Sequence, residues 1–125
     1  MIKFRAWDKV KKVMMVPRDI QTDSDGNIFY VEANSPTGEY DEGGLDIFKL
    51  EQFTGLTDVN GKPIYEGDIV KAYQMCKSDL ITFANGSFGI APDYWHSFES
   101  FTNFYGKCEV IGNVHQNPEL LEEEK

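Results

Sequence analysis

The sequence lacks long apolar runs. None of its 125 residues belongs to a stretch of about 18 consecutive apolar residues, the length that a membrane-spanning helix needs. Lys3 and Arg5 stand where a signal peptide has its apolar core. We therefore expect a cytoplasmic protein that makes no contact with a membrane.

Cysteine and histidine are scarce, with Cys76, Cys108, His96 and His115 as the only examples. In a reducing compartment the two cysteines stay unpaired, so we predict two small side chains that are buried or half-buried. No two of the four residues stand at a spacing that places zinc ligands on one turn. The acidic loop that begins at Asp23 lacks the ligand spacing of an EF-hand. The sequence thus predicts no metal site.

Catalytic motifs are missing as well. Neither glycine-rich phosphate-binding pattern occurs, and Ser87 lacks the G-x-S-x-G spacing of a strained nucleophile turn. Glu66 and Asp68 flank Gly67 in what is more simply a solvated turn than an acid–base pair. Neither histidine has a visible group to orient it. We predict no catalytic residue, no cofactor and no enzymatic activity.

The net charge of −9 is unevenly distributed. Residues 1–18 carry six Lys or Arg against Asp8 alone, so their net charge is +5 and that of the remainder is −14. An acidic body repels phosphate backbones, which argues against nucleic acid as the main partner. The basic segment is interpreted as a solvated hairpin face or as a contact for an acidic protein surface. Its candidate binding residues are Lys3, Arg5, Lys11 and Lys12.

Six aromatic residues between Tyr94 and Tyr105 form a group with a binding interpretation. Most of them are expected to build the core of a domain with few leucines. Tyr94 and Trp95 follow Pro92 and are the candidates for an exposed binding surface. No Lys or Arg stands between residues 91 and 106, whereas binding of single-stranded nucleic acid needs such residues among the rings. A protein partner is therefore preferred.

Short alternating segments separated by turn signals predict a strand-rich fold. Strands are expected at Ile2–Trp7, Val13–Val16 (closed by Pro17), Ile28–Val31, Leu45–Thr54, Leu80–Phe83, Phe88–Ile90 and Cys108–Val114. Segment 33–44 is predicted to be the least structured stretch, a mobile boundary between two parts. Asn60-Gly61 predicts a two-residue turn with positive φ at both positions. Ser97–Phe104 predicts one or two helical turns, and Asn117-Pro118 the start of a C-terminal helix.

Two blocks carry a specific resemblance to a known family. The first is Gln52–Val70, with Gln-x-Thr-Gly-Leu, Asp-x-Asn-Gly and Ile-Tyr-Glu-Gly-Asp-Ile-Val. The second is Glu109–Leu121, with Glu-Val-Ile-Gly-Asn-Val and Asn-Pro-Glu-Leu-Leu, and Phe4–Asp8 adds an Arg-x-Trp-Asp start. In these blocks the chain resembles the YopX-like proteins of phages and prophages. The resemblance implies an intracellular phage-associated protein whose C-terminal half is similar to an SH3-like barrel, and it implies no catalytic or binding residue.

Together these observations predict a mainly β (α+β) fold that forms one compact unit. We expect an N-terminal β-hairpin subdomain at residues 1–44 and an SH3-like β-barrel at residues 45–125 that ends in a short helix. The expected function is that of a non-enzymatic phage or prophage accessory protein in the bacterial cytoplasm, which contacts a host protein or further copies of itself. Two alternatives stay open: association with nucleic acid through the basic N-terminal face, and an acidic decoy of a host DNA-binding protein. The decoy requires a contiguous negative ridge.

Overall fold

The computed structural model describes residues 3–72, 78–84, 87–90, 99–100 and 108–122. The chain divides into two compact units, Met1–Gln52 and Phe53–Lys125. The division falls inside a strand, Phe48–Thr57, and not in segment 33–44. The described elements are antiparallel strands and one short helix, which confirms the predicted mainly β fold with a short C-terminal helix.

The first unit is an antiparallel sheet built by five strands. They are β1 (Phe4–Asp8), β2 (Val13–Thr22), β3 (Ile28–Asn34), β4 (Tyr40–Gly43) and β5 (Phe48–Thr57). They pair in the order β4-β3-β2-β1-β5, and residues 48–52 of β5 make the contact with β1. Side chains alternate between the two sides of each strand, so one side supplies the core. The core residues, each at most 1% exposed, are Ala6, Met15, Val31, Ala33 and Phe48.

Strand β2 continues through Pro17, so the prediction that Pro17 closes this strand is wrong. Proline has no N–H and is tolerated in a strand where a bulge interrupts the ladder or where one side lacks a partner. Both conditions hold here. Strand β2 pairs with β1 only through residues 13–15, and its register against β3 shifts between Pro17 and Asp19.

Three hairpin loops share one backbone geometry. In each, the fourth residue is a glycine with φ between 80° and 91°, whose N–H donates to the C=O of the first residue. A side-chain oxygen of the first residue accepts the N–H of the fifth. The loops are Asp23–Asn27, Ser35–Glu39 and Asp58–Lys62. This is the three-residue connection in which a type I turn precedes a left-handed glycine.

The prediction of positive φ at both Asn60 and Gly61 is therefore wrong. Among the described residues Lys12 is the one non-glycine residue with positive φ, so Gly61 alone adopts it in this loop. The hydrogen bonds between Asp58 and Lys62 close a loop of three residues, one more than the predicted two-residue turn. Segment 33–44 also contains more structure than predicted. Pro36 and Gly38 lie in the Ser35–Glu39 loop, which connects the paired strands β3 and β4.

The second unit contains residues 53–57 of β5 and the elements that follow. They are β6 (Pro63–Tyr65), β7 (Asp68–Ala72), β8 (Ser78–Ala84), β9 (Ser87–Ile90), β10 (Glu99–Ser100), β11 (Cys108–Asn113) and α1 (Glu119–Glu122). Strand β6 pairs with β5, and the others form a sheet in the order β10-β9-β8-β7-β11. The core contains Ile64, Val70, Ile81, Ile90, Cys108 and Val110. Burial of Cys108 confirms its prediction, whereas closure into an SH3-like barrel stays a prediction.

Two details near the C-terminus concern the predicted helical segments. Glu99 and Ser100 pair with β9, so the prediction of helical turns is wrong for these two residues, and the rest of that prediction lies outside the described residues. Pairing with an available strand edge outweighs a weak local period. Helix α1 follows Asn117-Pro118 as predicted, but Asn117 Oδ1 accepts the N–H of Asn113 at 3.2 Å.

Candidate functional site

The predicted site residues occupy several parts of the chain. Tyr94 and Trp95 lie outside the described residues, as do His96, Cys76 and the other rings of that aromatic group, so their role stays a prediction. Lys3 and Lys12 are exposed in the first unit, and Lys12 adopts φ of 59° in the turn between β1 and β2.

Arg5 makes an ion pair inside the sheet of the first unit. It lies on β1 directly opposite Glu51 on β5. Its Nε donates to Glu51 Oε1 at 3.0 Å, and Nη2 lies 3.0 Å from the same oxygen. The two side chains are 15% and 2% exposed. The guanidinium of Arg5 therefore compensates a buried carboxylate, a structural role that the sequence did not reveal.

Two lysines of the β1–β2 turn bind backbone carbonyls of their own unit. Lys9 Nζ donates to the C=O of Leu45 at 2.8 Å, and Lys11 Nζ donates to the C=O of Tyr40. These bonds connect the turn to β4 and to the segment after it. Part of the basic N-terminal charge is thus used within the fold, which makes this surface a weaker site for phosphate groups than its sequence suggests.

The outer side of strands β2, β3 and β4 carries a polar cluster that the sequence analysis missed. Directly opposed residues of an antiparallel sheet point to the same side. Val31 and Ala33 face the core, so their alternating neighbours on β3 face outward. We name this cluster the tyrosine–carboxylate face. It consists of Asp19, Tyr30, Glu32, Tyr40 and Glu42.

Three carboxylates of this face form a row across three strands. Asp19 is opposite Glu32, which is opposite Glu42. Along an antiparallel strand pair, hydrogen-bonded and non-hydrogen-bonded residue pairs alternate. The N–H of Ser35 donates to the C=O of Glu39, so these two form a hydrogen-bonded pair and, by the register, Glu32 and Glu42 form a non-hydrogen-bonded pair. The Cα atoms of such a pair are typically about 4.5 Å apart. Like charges at directly opposed positions destabilise a sheet. A cationic group bound to this row would relieve that repulsion.

Both tyrosine hydroxyls of the face bind Glu42. Tyr30 donates to Glu42 Oε2 and also lies 3.2 Å from Glu32 Oε2, while Tyr40 donates to Glu42 Oε2 at 3.1 Å. These bonds lower the pKa of Glu42. The bond to Glu42 raises the pKa of Tyr30, and burial together with the Glu42 bond raises the pKa of Tyr40. At neutral pH Glu42 is therefore charged, and the phenols of Tyr30 and Tyr40 are neutral.

The face combines charge with exposed apolar surface. Tyr40 is 44% exposed, and Val16, two strands away in the same row, is 60% exposed. Carboxylates form charge-assisted hydrogen bonds with guanidinium and ammonium groups, and aromatic rings attract the same cations. The sequence signal for this face is the repeated Tyr-x-Glu at residues 30–32 and 40–42, because a period of two places both side chains on one side of a strand.

The two sequence blocks of the family resemblance connect strands of the second unit. Asp58 Oδ2 in the first block accepts the N–H of Val110 in the second block at 2.9 Å. The N–H of Val114 donates to the C=O of Gly67 at 2.9 Å. Residues of the two blocks also pair as β7 and β11. These contacts hold the two blocks together within the second unit.

The described residues contain neither a metal-ligand cluster nor a membrane-spanning helix. In residues 3–72, 78–84, 87–90, 99–100 and 108–122, no three His, Cys, Asp or Glu side chains form a group that could hold a metal ion. The same part of the chain contains no helix with the length and apolar character needed to cross a bilayer.

Comparison with known proteins assigns the chain to a family. The crystal structure of protein EF1440 from Enterococcus faecalis is similar, with a TM-score of 0.68 and 29% sequence identity, and the match covers 97% of this chain and 98% of that chain. No curated protein matches the sequence. The family described as YopX protein matches residues 3–122, which is nearly the whole chain. This protein therefore belongs to the YopX family.

Proposed function

We propose that the protein is a non-enzymatic phage or prophage accessory protein that binds a basic surface of another protein in the bacterial cytoplasm. The tyrosine–carboxylate face is the proposed contact. The observation that carries the proposal is the row of Asp19, Glu32 and Glu42 at directly opposed positions of three strands. Family membership supports the phage-type assignment.

A lysine- or arginine-bearing protein surface suits this face for two reasons. An isolated ion pair at a protein surface contributes about 0–1 kcal/mol. Cations bound along this row also remove the mutual repulsion of its carboxylates, so the binding free energy per ion pair is larger here. Tyr30 and Tyr40 add ring surface of a residue type that is enriched in protein interfaces. Their hydroxyls also orient Glu42, which reduces the side-chain freedom lost on binding.

An acidic decoy is the second candidate, and the same row favours it. A decoy needs neighbouring negative charges that occupy the phosphate-binding surface of a host DNA-binding protein. Direct association with nucleic acid is less well supported, because Arg5, Lys9 and Lys11 bind groups of their own unit.

The test compares captured host proteins between matched variants. Three proteins would be immobilised: the wild type, the face variant Glu32→Gln/Glu42→Gln and the control variant Asp25→Asn/Glu39→Gln. Each would be exposed to host lysate at low and at high salt. Both variants remove two charges, but Asp25 and Glu39 are exposed loop residues outside the face. Circular dichroism of each variant would establish that the fold is retained.

The proposal expects proteins that the wild type and the control retain and that the face variant loses. Their capture should weaken as salt rises, since exposed ion pairs are screened. A captured protein that double-stranded DNA displaces would favour the decoy. Equal capture by the wild type and both variants would refute the face as the contact. Nucleic acid bound only at low salt would favour the basic N-terminal residues instead.

A further inference from the structure

A second pair of carboxyl groups lies on the core side of the first unit. Asp8 ends β1 and is 0% exposed, in the same cross-strand row as Val13 and Phe48. Asp41 on β4 is half-buried and is directly opposite Ala33, a core residue, so its side chain also points to the core side. This pair is distinct from the tyrosine–carboxylate face, which lies on the other side of β4.

The two oxygens of Asp8 have different surroundings. Oδ1 accepts the N–H groups of Val10 and Lys11, both at 2.9 Å, and so shapes the β1–β2 turn. Oδ2 is buried and has no donor as long as both carboxyl groups are ionised. Asp41 lies within hydrogen-bond reach of the Asp8 side chain. A buried acceptor without a donor is costly, and a proton on Asp41 supplies the missing donor.

We propose that Asp8 and Asp41 share one proton, and that this carboxyl–carboxylate bond is a pH-operated latch between the β1–β2 turn and edge strand β4. The bond needs a single proton, because two ionised groups repel each other and two protonated groups lose the charge assistance. Strand β4 has β3 as its partner strand, so a contact from the turn contributes directly to holding it.

The titration of the pair agrees with this geometry. The hydrogen bond to Asp8, followed by burial, raises the pKa of Asp41. Burial acts to raise the pKa of Asp8, but the hydrogen bonds from Asp41 and from the Lys11 and Val10 amides outweigh it and lower that pKa. The shared proton therefore belongs to Asp41, and Asp8 remains the ionised acceptor.

The charged groups around the pair define when the latch holds. Lys11 is the cation that acts on both carboxyl groups, and its Nζ also binds the C=O of Tyr40 in β4. Strands β2, β3 and β5 face the pair with Val13, Ala33 and Phe48, which do not titrate. Since the folded-state pKa of Asp41 is raised and that of Asp8 is lowered, the latch holds between the two pKa values. Its contribution to stability is lost as pH rises through the pKa of Asp41, and its charge assistance is lost as pH falls through that of Asp8.

The latch connects proton binding to β4, which carries Tyr40 and Glu42 on its outer side. Release of the proton would weaken the hold on this strand while leaving its pairing with β3 in place. The latch does not depend on the proposed function, because its titration and the protection of β4 are measured without any partner.

The test uses nuclear magnetic resonance of the full-length protein. Carboxyl carbon shifts of Asp8 and Asp41 would be followed over pH, together with hydrogen exchange of the β4 amides corrected for intrinsic rates. We expect Asp41 to titrate above its ordinary value of 3.8, with a coincident inflection at Asp8. Protection of β4 should fall about tenfold through the same pH range, as expected for one lost hydrogen bond to a charged group.

Two variants separate the latch from a merely structural contact. In Asp41→Asn the amide N–H donates to Asp8 at every pH at which Asp8 is ionised, so β4 protection should stay high and flat through the range in which Asp41 of the wild type titrates. In Asp41→Ala it should be low throughout, and an exposed Asp25→Asn control should titrate like the wild type. Titration of Asp41 at or below 3.8, or a pH dependence in Asp41→Asn equal to that of the wild type, would overturn the proposal.

Discussion

Replacing Asp58 by asparagine tests how the two family blocks are held together. Asp58 is only 5% exposed. Its Oδ1 accepts the N–H groups of Asn60 at 2.8 Å and Lys62 at 2.9 Å, and Oδ2 accepts the N–H of Val110 at 2.9 Å. An asparagine at this position can keep its carbonyl oxygen on the loop amides. Its NH2 group then faces the N–H of Val110, so a donor meets a donor.

The expected cost is about 2–4 kcal/mol in the free energy of unfolding. An unsatisfied buried N–H costs about 1–3 kcal/mol, and the two loop bonds lose the assistance of a full negative charge. Asp23→Asn is the matched control. Asp23 closes a loop of the same geometry through Asp25 N–H at 2.9 Å and Asn27 N–H at 3.0 Å, but it is exposed. Its replacement should cost no more than about 0.5 kcal/mol.

Urea unfolding of both variants against the wild type gives the two costs, and hydrogen exchange reports directly on the Val110 amide. Burial acts to raise the pKa of Asp58, but the Val110, Lys62 and Asn60 amides outweigh it and lower that pKa. Its contribution is therefore full above the ordinary value of 3.8 and is lost as pH falls through the lowered value, so the deficit of Asp58→Asn should shrink in acid. Equal costs for Asp58→Asn and Asp23→Asn, with unchanged Val110 exchange, would refute the reasoning.

Two further predictions concern the second unit. A Cβ at Gly112 would lie 2.5 Å from Asn117 Oδ1 and 2.9 Å from its Cβ, so Gly112→Ala should destabilise by about 1–3 kcal/mol. In urea unfolding, the double variant Gly112→Ala/Asn117→Gly should lose less stability than the sum of the losses of the two single variants. Additive losses would contradict the contact. Burial, followed by the Asp58 charge, raises the pKa of the Cys108 thiol to about 11, so about one thiol in a thousand is ionised at pH 8. In a Cys76→Ser background Cys108 should react with iodoacetamide only after unfolding, whereas rapid labelling of the folded protein would show that the thiol is accessible.

The sequence by itself determined the class of fold, most of the described strands and the start of the C-terminal helix. Alternating residues identified most of the described strands, and Asn117-Pro118 marked the start of the C-terminal helix. These features depend on a few neighbouring residues, so they can be derived without knowing the rest of the molecule. The family was also recognisable at this level, because its blocks are continuous in the chain.

Only the tertiary structure decided which side chains meet. The passage of β2 through Pro17 depended on a bulge against β3, and the partner of Arg5 depended on the pairing of β1 with β5. Neither relation is encoded in adjacent residues. For the same reason, Arg5 was a candidate for partner binding on charge alone, although its guanidinium binds Glu51.

The proposed sites show this division most clearly. Two Tyr-x-Glu segments were present in the sequence, but their union into one face required β3 and β4 to pair with Glu32 opposite Glu42. The meeting of Asp8 and Asp41 required residues 33 positions apart in the chain to point to the same side of a sheet. A strand's side chains alternate with a period of two, so a register shift of one residue would move each of these groups to the opposite side. The identity of the residues was set locally, while their chemistry as pairs was set by register.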